Sequence, residues 1–276
     1  MALLTTRIIG GVDVTVKDAP LTNLEVDTNF NNLVLDLDSI NTRISALEGS
    51  GISGFATSYW NCDDSGPTVV ADSIGGLNGT ATGTLGFGDP GLKNTCITIN
   101  NNSTDKVVLP NITLSNVSEF SIAWATKSDV KLANSISTNQ FKWYISSSNS
   151  MQVALPPNGA TFQVGLRLTI LNPSTIDGDF QWTSDNLTYD ISTWRHFVLT
   201  FNSGVCKGYT NGVEIPGTVT ISGATEFVGG TTTFHEISGF VSDFPPEGSW
   251  YMDEVQTYDI ALTSQQVSDL YAELTS

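Results

Sequence analysis

Hydrophobic residues recur with two different periods along this chain, and the change of period divides it into two parts. Between Val26 and Leu47 they follow one another at alternating intervals of four and three residues, the 3.5-residue repeat of coiled-coil helices. After Gly54, short β-prone runs are separated by Gly, Asn, Asp and Pro turns. The pattern therefore predicts a helix followed by a β-rich domain.

The register of the helix predicts that three chains associate. Leu37 at an a position followed by Ile40 at a d position disfavours a two-stranded coil and favours three or more strands. Arg43 at g and Glu48 at the following e position can pair between parallel helices. The predicted trimerisation residues are Phe30, Leu33, Leu37, Ile40, Arg43, Ile44, Leu47 and Glu48. The alternative is a single amphipathic helix that packs on its own domain.

The ends of the helix set the domain boundaries. Thr22 followed by Glu25 predicts a capping box at the start, and Gly49-Ser50-Gly51 predicts the end of the helix. The rod would be roughly 40 Å long. We predict an N-terminal segment (1–21), a coiled-coil stalk (22–48), a Gly/Ser linker (49–54) and a β domain (55–276).

The β domain shows the pattern of an antiparallel sandwich. Residues 120–124 alternate with period two, whereas residues 194–201 are apolar on both faces, as in an interior strand. Asn211-Gly212 predicts a hairpin with a type I′ turn. Only the end departs from this pattern, where Thr263 caps a short helix whose Val267, Leu270 and Tyr271 would pack on the sheet. The predicted fold class is mainly β, an antiparallel jelly roll.

Composition and charge narrow the possible functions. The chain has 11 Lys plus Arg against 28 Asp plus Glu, a net charge of -17, so it lacks the basic surface that nucleic-acid binding needs. No apolar run approaches the roughly 18 residues of a membrane helix, and the N-terminus does not look like an export signal. The three cysteines, Cys62, Cys96 and Cys206, are too scattered for a disulfide framework, and we expect them to be reduced and buried.

Two N-terminal stretches resemble known sequence motifs. Residues 20–33, Pro-Leu-Thr-Asn-Leu-Glu-Val-Asp-Thr-Asn-Phe-Asn-Asn-Leu, resemble a segment near the N-terminus of bacteriophage tail and virion fibres. Residues 43–48 resemble the trimer signature of short parallel coiled coils. The resemblance implies that the N-terminal segment attaches to other virion proteins. The alternative is a capped helix whose sequence matches by chance.

Three later motifs resemble the laminin-G-like jelly rolls of the concanavalin A-like class. The first comprises Tyr59–Asp64 with Ala71–Ser73 and Asn78-Gly79. The second runs from Thr193–Val198 into Tyr209–Val213. The third is Trp250–Tyr258 with Ala261–Thr263 and Leu270-Tyr271. Their order implies this fold for residues 59–271.

The same resemblance implies a structural calcium ion. Several members of the family hold Ca2+ at one edge of the sandwich, and the corresponding ligands here would be Asp72, Asn78 and Asp253. Such oxygen ligands suit Ca2+. Alternatively, Asp72 only caps the turn at 73–76, and Asp253 only satisfies backbone groups at the start of a strand.

Glycan binding would use an exposed aromatic ring beside polar groups. Trp60, Trp124 and Trp194 lie inside the fold motifs and are predicted to be core. Trp182 follows a polar loop and is the preferred platform. The candidate carbohydrate-binding residues are Trp182, Asp179, Trp143 and Tyr144. The alternative is that these aromatic residues are buried.

Catalysis has less support in the sequence. The Glu-x-Asp-x-x-Glu strand of the concanavalin A-like glucanases does not occur. Asp63-Asp64 and Asp253-Glu254 are adjacent pairs, which a regular strand would point to opposite faces. His196 belongs to the hairpin motif, and His235 has no Gly-x-Ser-x-Gly partner. We therefore predict that the protein is not an enzyme.

Together these features predict a homotrimeric bacteriophage tail fibre or spike, located in the virion and assembled in the host cytoplasm. Its three jelly-roll heads would bind host-surface carbohydrate without catalysis. Two alternatives stay open. One is a capsid or neck decoration that binds no glycan, and the other is a glycan depolymerase.

Overall fold

The structure is a computed structural model, and it describes most of the β domain. The described residues are 51–66, 68–100, 104–110, 113–114, 117–129, 138–144, 150–155, 163–172, 178–185, 189–231, 234–240 and 249–276. They belong to a compact unit, Gly51–Ser276. The predicted attachment segment (1–21) and the stalk (22–48), with all eight trimerisation residues, lie outside the described residues. The trimeric stalk therefore stays a prediction.

In the described part of the chain, the first antiparallel sheet has eight strands. They are β1 Ser58–Trp60, β4 Gly86–Pro90, β5 Thr95–Asn100, β8 Glu119–Ser128, β15 Arg195–Asn202, β16 Val205–Thr210, β17 Val213–Ile215 and β21 Ser249–Tyr258. Their order is β17-β16-β15-β8-β21-β5-β4, and β1 also pairs with β21. The long strand β21 thus lies beside β8 and carries both β5 and β1 on its other side.

The second antiparallel sheet has nine strands among the residues that the structure describes. They are β2 Val69–Val70, β3 Gly79–Thr82, β6 Lys106–Leu109, β9 Thr138–Tyr144, β10 Ser150–Leu155, β12 Arg167–Leu171, β13 Phe180–Ser184, β18 Gly217–Ser222 and β20 Phe234–Phe240. Their order is β18-β13-β12-β10-β9-β20-β6-β3-β2. Two short pairs complete the described strands: β11 Gln163–Val164 with β14 Tyr189–Asp190, and β7 Thr113–Leu114 with β19 Gly230–Thr231.

Side chains from both sheets meet in one hydrophobic core. Trp124 and Phe197 enter it from the first sheet, and Val153, Leu168 and Phe180 enter from the second. The strand predicted from period-two alternation is part of β8, and the strand predicted to be apolar on both faces is β15. The predicted hairpin is also confirmed, because β16 and β17 are joined by two residues with positive φ, Asn211 at 49° and Gly212 at 79°.

One helix, α1 (Ser264–Leu274), packs on the outer face of the first sheet. Thr263 and Gln266 form its capping box, as the sequence predicts for its start. Val267, Leu270 and Leu274 are buried in a second apolar cluster with Ala123 and Val198 of the sheet. The helix therefore covers part of this outer face.

The start of the described unit is bound to this helix. Residues 52 and 53, which the sequence analysis assigns to the linker, donate their N–H groups to the Glu273 carboxylate at 2.8 and 3.3 Å. A 3-10 turn, Ser53–Phe55, follows. Among the described residues, no helix has the length and apolar character needed to cross a membrane.

Candidate functional site

The predicted sugar platform, Trp182, is buried. Only 2% of its surface is exposed, and its ring packs so closely on two glycines that a Cβ added to Gly208 or Gly217 would lie 2.5 or 2.0 Å from it. A ring that stacks on a ligand must be accessible. The prediction for Trp182 is therefore wrong, and the alternative that this tryptophan belongs to the core is confirmed.

Asp179, another candidate residue, binds backbone groups of neighbouring loops. The Asp179 carboxylate accepts the N–H of Asn172 at 3.0 Å. The backbone carbonyl of Asp179 accepts the N–H groups of Gly223 and Ala224. Asp179 therefore organises a loop. Trp143 and Tyr144 end strand β9, and their side chains lie outside the described part of the structure. Their role in binding stays a prediction.

An accessible pair of aromatic rings lies on the outer face of the first sheet. Alternate residues of a strand share one face, so Lys127 of β8 points to the same side as Ala123, which packs under α1. Lys127 pairs with Tyr251 of β21, and Trp194 directly precedes β15, the strand on the other side of β8. Trp194, Lys127 and Tyr251 are each partly exposed. We call these three residues the aromatic face.

The geometry of the aromatic face is defined by cation–π contacts. The Trp194 and Tyr251 rings lie 6.5 Å apart, with an angle of 68° between their planes. The Lys127 ammonium lies 5.4 Å from the centre of the Trp194 ring and 4.5 Å from that of Tyr251. Both distances are within the range of attraction between a cation and an aromatic ring. The lysine therefore holds the two rings in a fixed relation.

Asp129 adds an acidic group at the edge of this face. Its Oδ2 accepts a hydrogen bond from the Tyr251 hydroxyl at 3.3 Å, and its Oδ1 accepts the N–H of Ser249. Partial burial, and then the nearby negative charge of Asp129, raises the pKa of Tyr251. The hydroxyl therefore stays protonated at neutral pH and donates.

These groups match what a sugar ring needs from a protein. Tyrosine and tryptophan offer an apolar surface that also carries a polar group, which suits the apolar C–H face of a sugar. An ammonium and a carboxylate beside the rings can donate to and accept from hydroxyl groups. Trp194 lies inside a fold motif, so the sequence pattern predicts it to be core together with Trp60 and Trp124. That prediction is confirmed for Trp60 and Trp124, which are 2% and 0% exposed, and is wrong for Trp194.

The residues predicted to bind calcium have other partners. Both carboxylate oxygens of Asp72 accept hydrogen bonds, from the N–H groups of Tyr59, Ile74, Gly75 and Leu77 at 2.9 to 3.0 Å. Burial alone would raise the pKa of Asp72, but these donors outweigh it and lower the pKa. The Asn78 amide oxygen accepts the N–H of Asp72 at 2.9 Å. These hydrogen bonds favour the turn-capping role of Asp72.

Asp253 is likewise engaged by backbone groups. Its carboxylate accepts the N–H of Lys93 at 3.0 Å and of Glu254 at 2.9 Å. Gly91 is required beside it, because a Cβ there would lie 2.4 Å from the Asp253 Oδ2. Among the described residues, no group of three His, Cys, Asp or Glu side chains has the arrangement of a metal site. Calcium binding by Asp72, Asn78 and Asp253 therefore stays a prediction.

Asp253 and Glu254 form a buried acidic pair at a β-bulge. The pairing of β21 with β8 shifts register between Asp253 and Gln256, and Glu254 has a positive φ of 53°, so the regular alternation of faces is interrupted here. Both side chains are 0% exposed. Burial raises the pKa of Asp253 to about 8 and that of Glu254 to about 7.

This pair has raised pKa values like those of catalytic acids, but a substrate cannot reach it. The Tyr59 hydroxyl donates to Glu254 Oε2, and the backbone N–H groups described above bind Asp253. The other adjacent pair is also structural. Asp63 accepts the N–H of Thr95 at 2.9 Å, and Asp64 accepts that of Ala71 at 2.9 Å.

The histidine near the helix is unsuited to acid–base catalysis. His196 is 1% exposed and stacks on the Tyr271 ring of α1 at 5.9 Å. Burial lowers its pKa to about 3, so its imidazole is neutral. The expectation that His196 belongs to the core hairpin is confirmed. The three cysteines are free and buried, as expected.

The family of the chain follows from comparison with known proteins. A laminin G family model, described as the concanavalin A-like lectin/glucanases superfamily, matches residues 101–268, which is more than half of the chain. The chain belongs to this family. A comparison with curated proteins finds no match.

Solved structures share the fold of this concanavalin A-like domain. Domain 4 of AbnA, an extracellular GH43 arabinanase from Geobacillus stearothermophilus solved with arabinotriose, is 21% identical with a TM-score of 0.57. The match covers 78% of this chain and 98% of that one. The botulinum neurotoxin serotype G binding domain is 14% identical with a TM-score of 0.60, over 80% of this chain and 51% of that one. A sialidase from Trypanosoma rangeli is 12% identical with a TM-score of 0.50, over 78% and 32% of the two chains. At these identities the likeness shows the fold alone.

The concanavalin A-like domain also contains an apolar cavity of about 430 Å³. Its walls include Trp60, Leu109, Phe120, Met151 and Phe227. Polar residues such as Ser121, Thr257 and Asp259 also line it, but its exposed surface is mainly apolar, which suits the hydroxyls of a sugar poorly. The aromatic face is therefore the better candidate for carbohydrate.

Proposed function

We propose that this protein binds carbohydrate without catalysis and that the aromatic face is its binding site. The observation that carries the proposal is the partly exposed Trp194–Tyr251 pair, which lies on the part of the sheet that α1 leaves open. Polar groups that can bind sugar hydroxyls, Lys127 and Asp129, flank the rings. Membership of a family that is named for its lectins and glucanases agrees with this class of ligand.

The burial of the acidic residues supports a non-catalytic role. A retaining glycosidase needs two carboxyl groups that flank the scissile bond. The adjacent pair with the raised pKa values, Asp253 and Glu254, is fully buried, and Asp63 and Asp64 bind backbone N–H groups. Carbohydrate would therefore be bound and released unchanged.

We further propose that the protein is a trimeric bacteriophage tail fibre or spike, assembled in the host cytoplasm and carried on the virion. The support is the 3.5-residue repeat of residues 26–47 and the resemblance of residues 20–33 to fibre proteins. Three heads on one stalk would bind a host surface more strongly than one, because each bound head raises the effective concentration of the others. A capsid or neck decoration that binds no glycan is the alternative.

A glycan array tests the carbohydrate proposal. The full chain is compared with Trp194→Ala, which removes a ring of the aromatic face, and with Phe55→Ala, which removes an exposed ring near the opposite end of β21. We expect the wild type and Phe55→Ala to bind the same glycans and Trp194→Ala to lose them. Wild-type protein that binds nothing would favour the decoration, and release of reducing ends from the glycan would favour the depolymerase.

Calcium would act as a structural ion in this proposal. If Asp72, Asn78 and Asp253 bind Ca2+, its addition raises the melting temperature of the wild type but not of Asp72→Asn. An unchanged melting temperature would leave Asp72 with its turn-capping role alone.

A further inference from the structure

Lys127 differs from the other described lysines whose partners are known. Lys106 binds Glu236 in an ion pair, and Lys207 binds Glu214 at 3.0 Å. Among the described residues, no carboxylate lies within ion-pair distance of the Lys127 ammonium and no protein oxygen accepts a hydrogen bond from it. Its contacts are the two aromatic rings.

Lys127 forms no ion pair with a described residue although the protein is strongly acidic. The chain has 28 acidic residues against 11 basic ones, and Asp129 lies close enough to bind the Tyr251 hydroxyl. Both oxygens of Asp129 bind other groups, Tyr251 and the Ser249 N–H. Asp129 forms no ion pair with the lysine, and among the described residues no protein oxygen occupies the N–H donors of the ammonium, so the ammonium can donate to a ligand.

The two rings also fix where the ammonium is. A lysine side chain normally has many conformations, and ordering it costs conformational entropy. Here cation–π contacts at 4.5 and 5.4 Å hold it between Trp194 and Tyr251. A ligand that binds the ammonium therefore meets a donor that is already in place, beside a ring on which a sugar can stack.

We propose that the aromatic face selects glycans that carry a carboxylate, such as uronic or sialic acids, and that Lys127 binds the carboxylate while Trp194 and Tyr251 contact the sugar ring. This inference rests on the proposed carbohydrate binding and names the class of glycan. Charge-assisted hydrogen bonds are stronger than neutral ones, so the acidic sugar is bound more tightly than its neutral counterpart. Asp129 at the edge of the aromatic face and the acidic surface around it repel further carboxylates, so the attraction is limited to the single carboxylate that reaches Lys127.

The experiment compares each acidic oligosaccharide with its carboxyl-reduced form. Uronic acid oligomers, sialylated oligosaccharides and their reduced counterparts are placed on one array and probed with the full chain. We expect the acidic forms to bind about tenfold more tightly than the reduced forms. The two groups of acidic probes show which kind of acidic sugar is bound.

Three variants connect this preference to Lys127. Lys127→Met removes the charge and is expected to abolish the preference for the acidic form, whereas Lys127→Arg keeps the charge and the preference. Lys207→Met removes one charge from an ion pair elsewhere and is the matched control, expected to bind like the wild type.

The outcomes separate the two proposals. Equal binding of the acidic and reduced forms would overturn the selection of carboxylates while leaving carbohydrate binding intact. A preference that survives in Lys127→Met would overturn the role of Lys127. If no glycan of either kind binds, both proposals fail.

Discussion

The Lys127 ammonium lies 4.5 Å from the centre of the Tyr251 ring, and the two residues are direct partners on adjacent strands. Trp194 completes the arrangement from the start of the next strand. The sheet itself therefore positions all three groups. Helix α1 covers the neighbouring part of the same side of the sheet, so α1 forms one border of the aromatic face.

The ring of Tyr251 is expected to matter more than its hydroxyl. Tyr251→Ala should weaken glycan binding about tenfold, because it removes both the stacking surface and the contact that holds Lys127. Tyr251→Phe keeps the ring and loses a hydrogen bond of 3.3 Å, so its affinity should fall by less than about threefold. Titration calorimetry with one bound oligosaccharide measures both. Equal losses in the two variants would show that the hydroxyl is the essential group.

Gly217 is expected to be required because Trp182 packs against it. A Cβ at this position would lie 2.0 Å from the indole ring, so Gly217→Ala should lower the free energy of unfolding by about 2 kcal/mol. Gly66→Ala is the matched control, because nothing lies within 4 Å of its added Cβ, and it should change stability by less than about 0.5 kcal/mol. Urea unfolding gives both values. A Gly217→Ala variant as stable as the wild type would contradict the close packing of Trp182.

Stability should depend on pH through the buried acidic pair. The pKa values of Asp253 and Glu254 rise on folding from ordinary values of 3.8 and 4.5 to about 8 and about 7. Between about pH 4 and pH 8 the folded state binds protons that the unfolded state releases, so the free energy of unfolding falls as the pH rises. The stabilisation by these bound protons is complete below about pH 4 and is lost at about pH 8.

The variant Asp253→Asn tests this linkage. Its free energy of unfolding should fall less between pH 5 and pH 8 than that of the wild type, because one of the two titrating groups is gone. Asp269→Asn changes an exposed carboxylate of α1 and should keep the wild-type slope. Identical slopes in the wild type and Asp253→Asn would show that Asp253 is already ionised in the folded protein.

The predicted stalk would make the protein a trimer in solution. The chain has a mass of 29.5 kDa, and light scattering of the full-length protein should give three times that value. Residues 55–276 alone should be monomeric. A fragment that remains trimeric would show that the coiled coil is not what assembles the protein.

Local signals in the sequence are sufficient to predict much of the fold. The Asn211-Gly212 turn and the Thr263 cap are confirmed because each depends on a few adjacent residues. The bulge at Glu254 could not be predicted in this way. Its positive φ is stabilised by strand pairing and by Tyr59, which is distant in sequence.

The two tryptophans show why the candidate binding site is harder to predict than the fold. Alternation along β13 places Trp182 on the same inward face as Phe180, a signal that could have identified it as core. Trp194 shares its face with His196 and Val198, which α1 covers. Whether a residue on that face is covered depends on where the C-terminal helix ends, and the alternation pattern does not contain this information.

The most direct test of the account is fluorine NMR of the protein labelled with 5-fluorotryptophan, during titration with an oligosaccharide that the wild type binds. Trp194→Phe and Trp182→Phe assign the two resonances. The account predicts that the Trp194 resonance shifts as the glycan saturates the protein and that the Trp182 resonance stays in place. Saturable binding that leaves the Trp194 resonance unchanged would contradict the assignment of the aromatic face as the carbohydrate site.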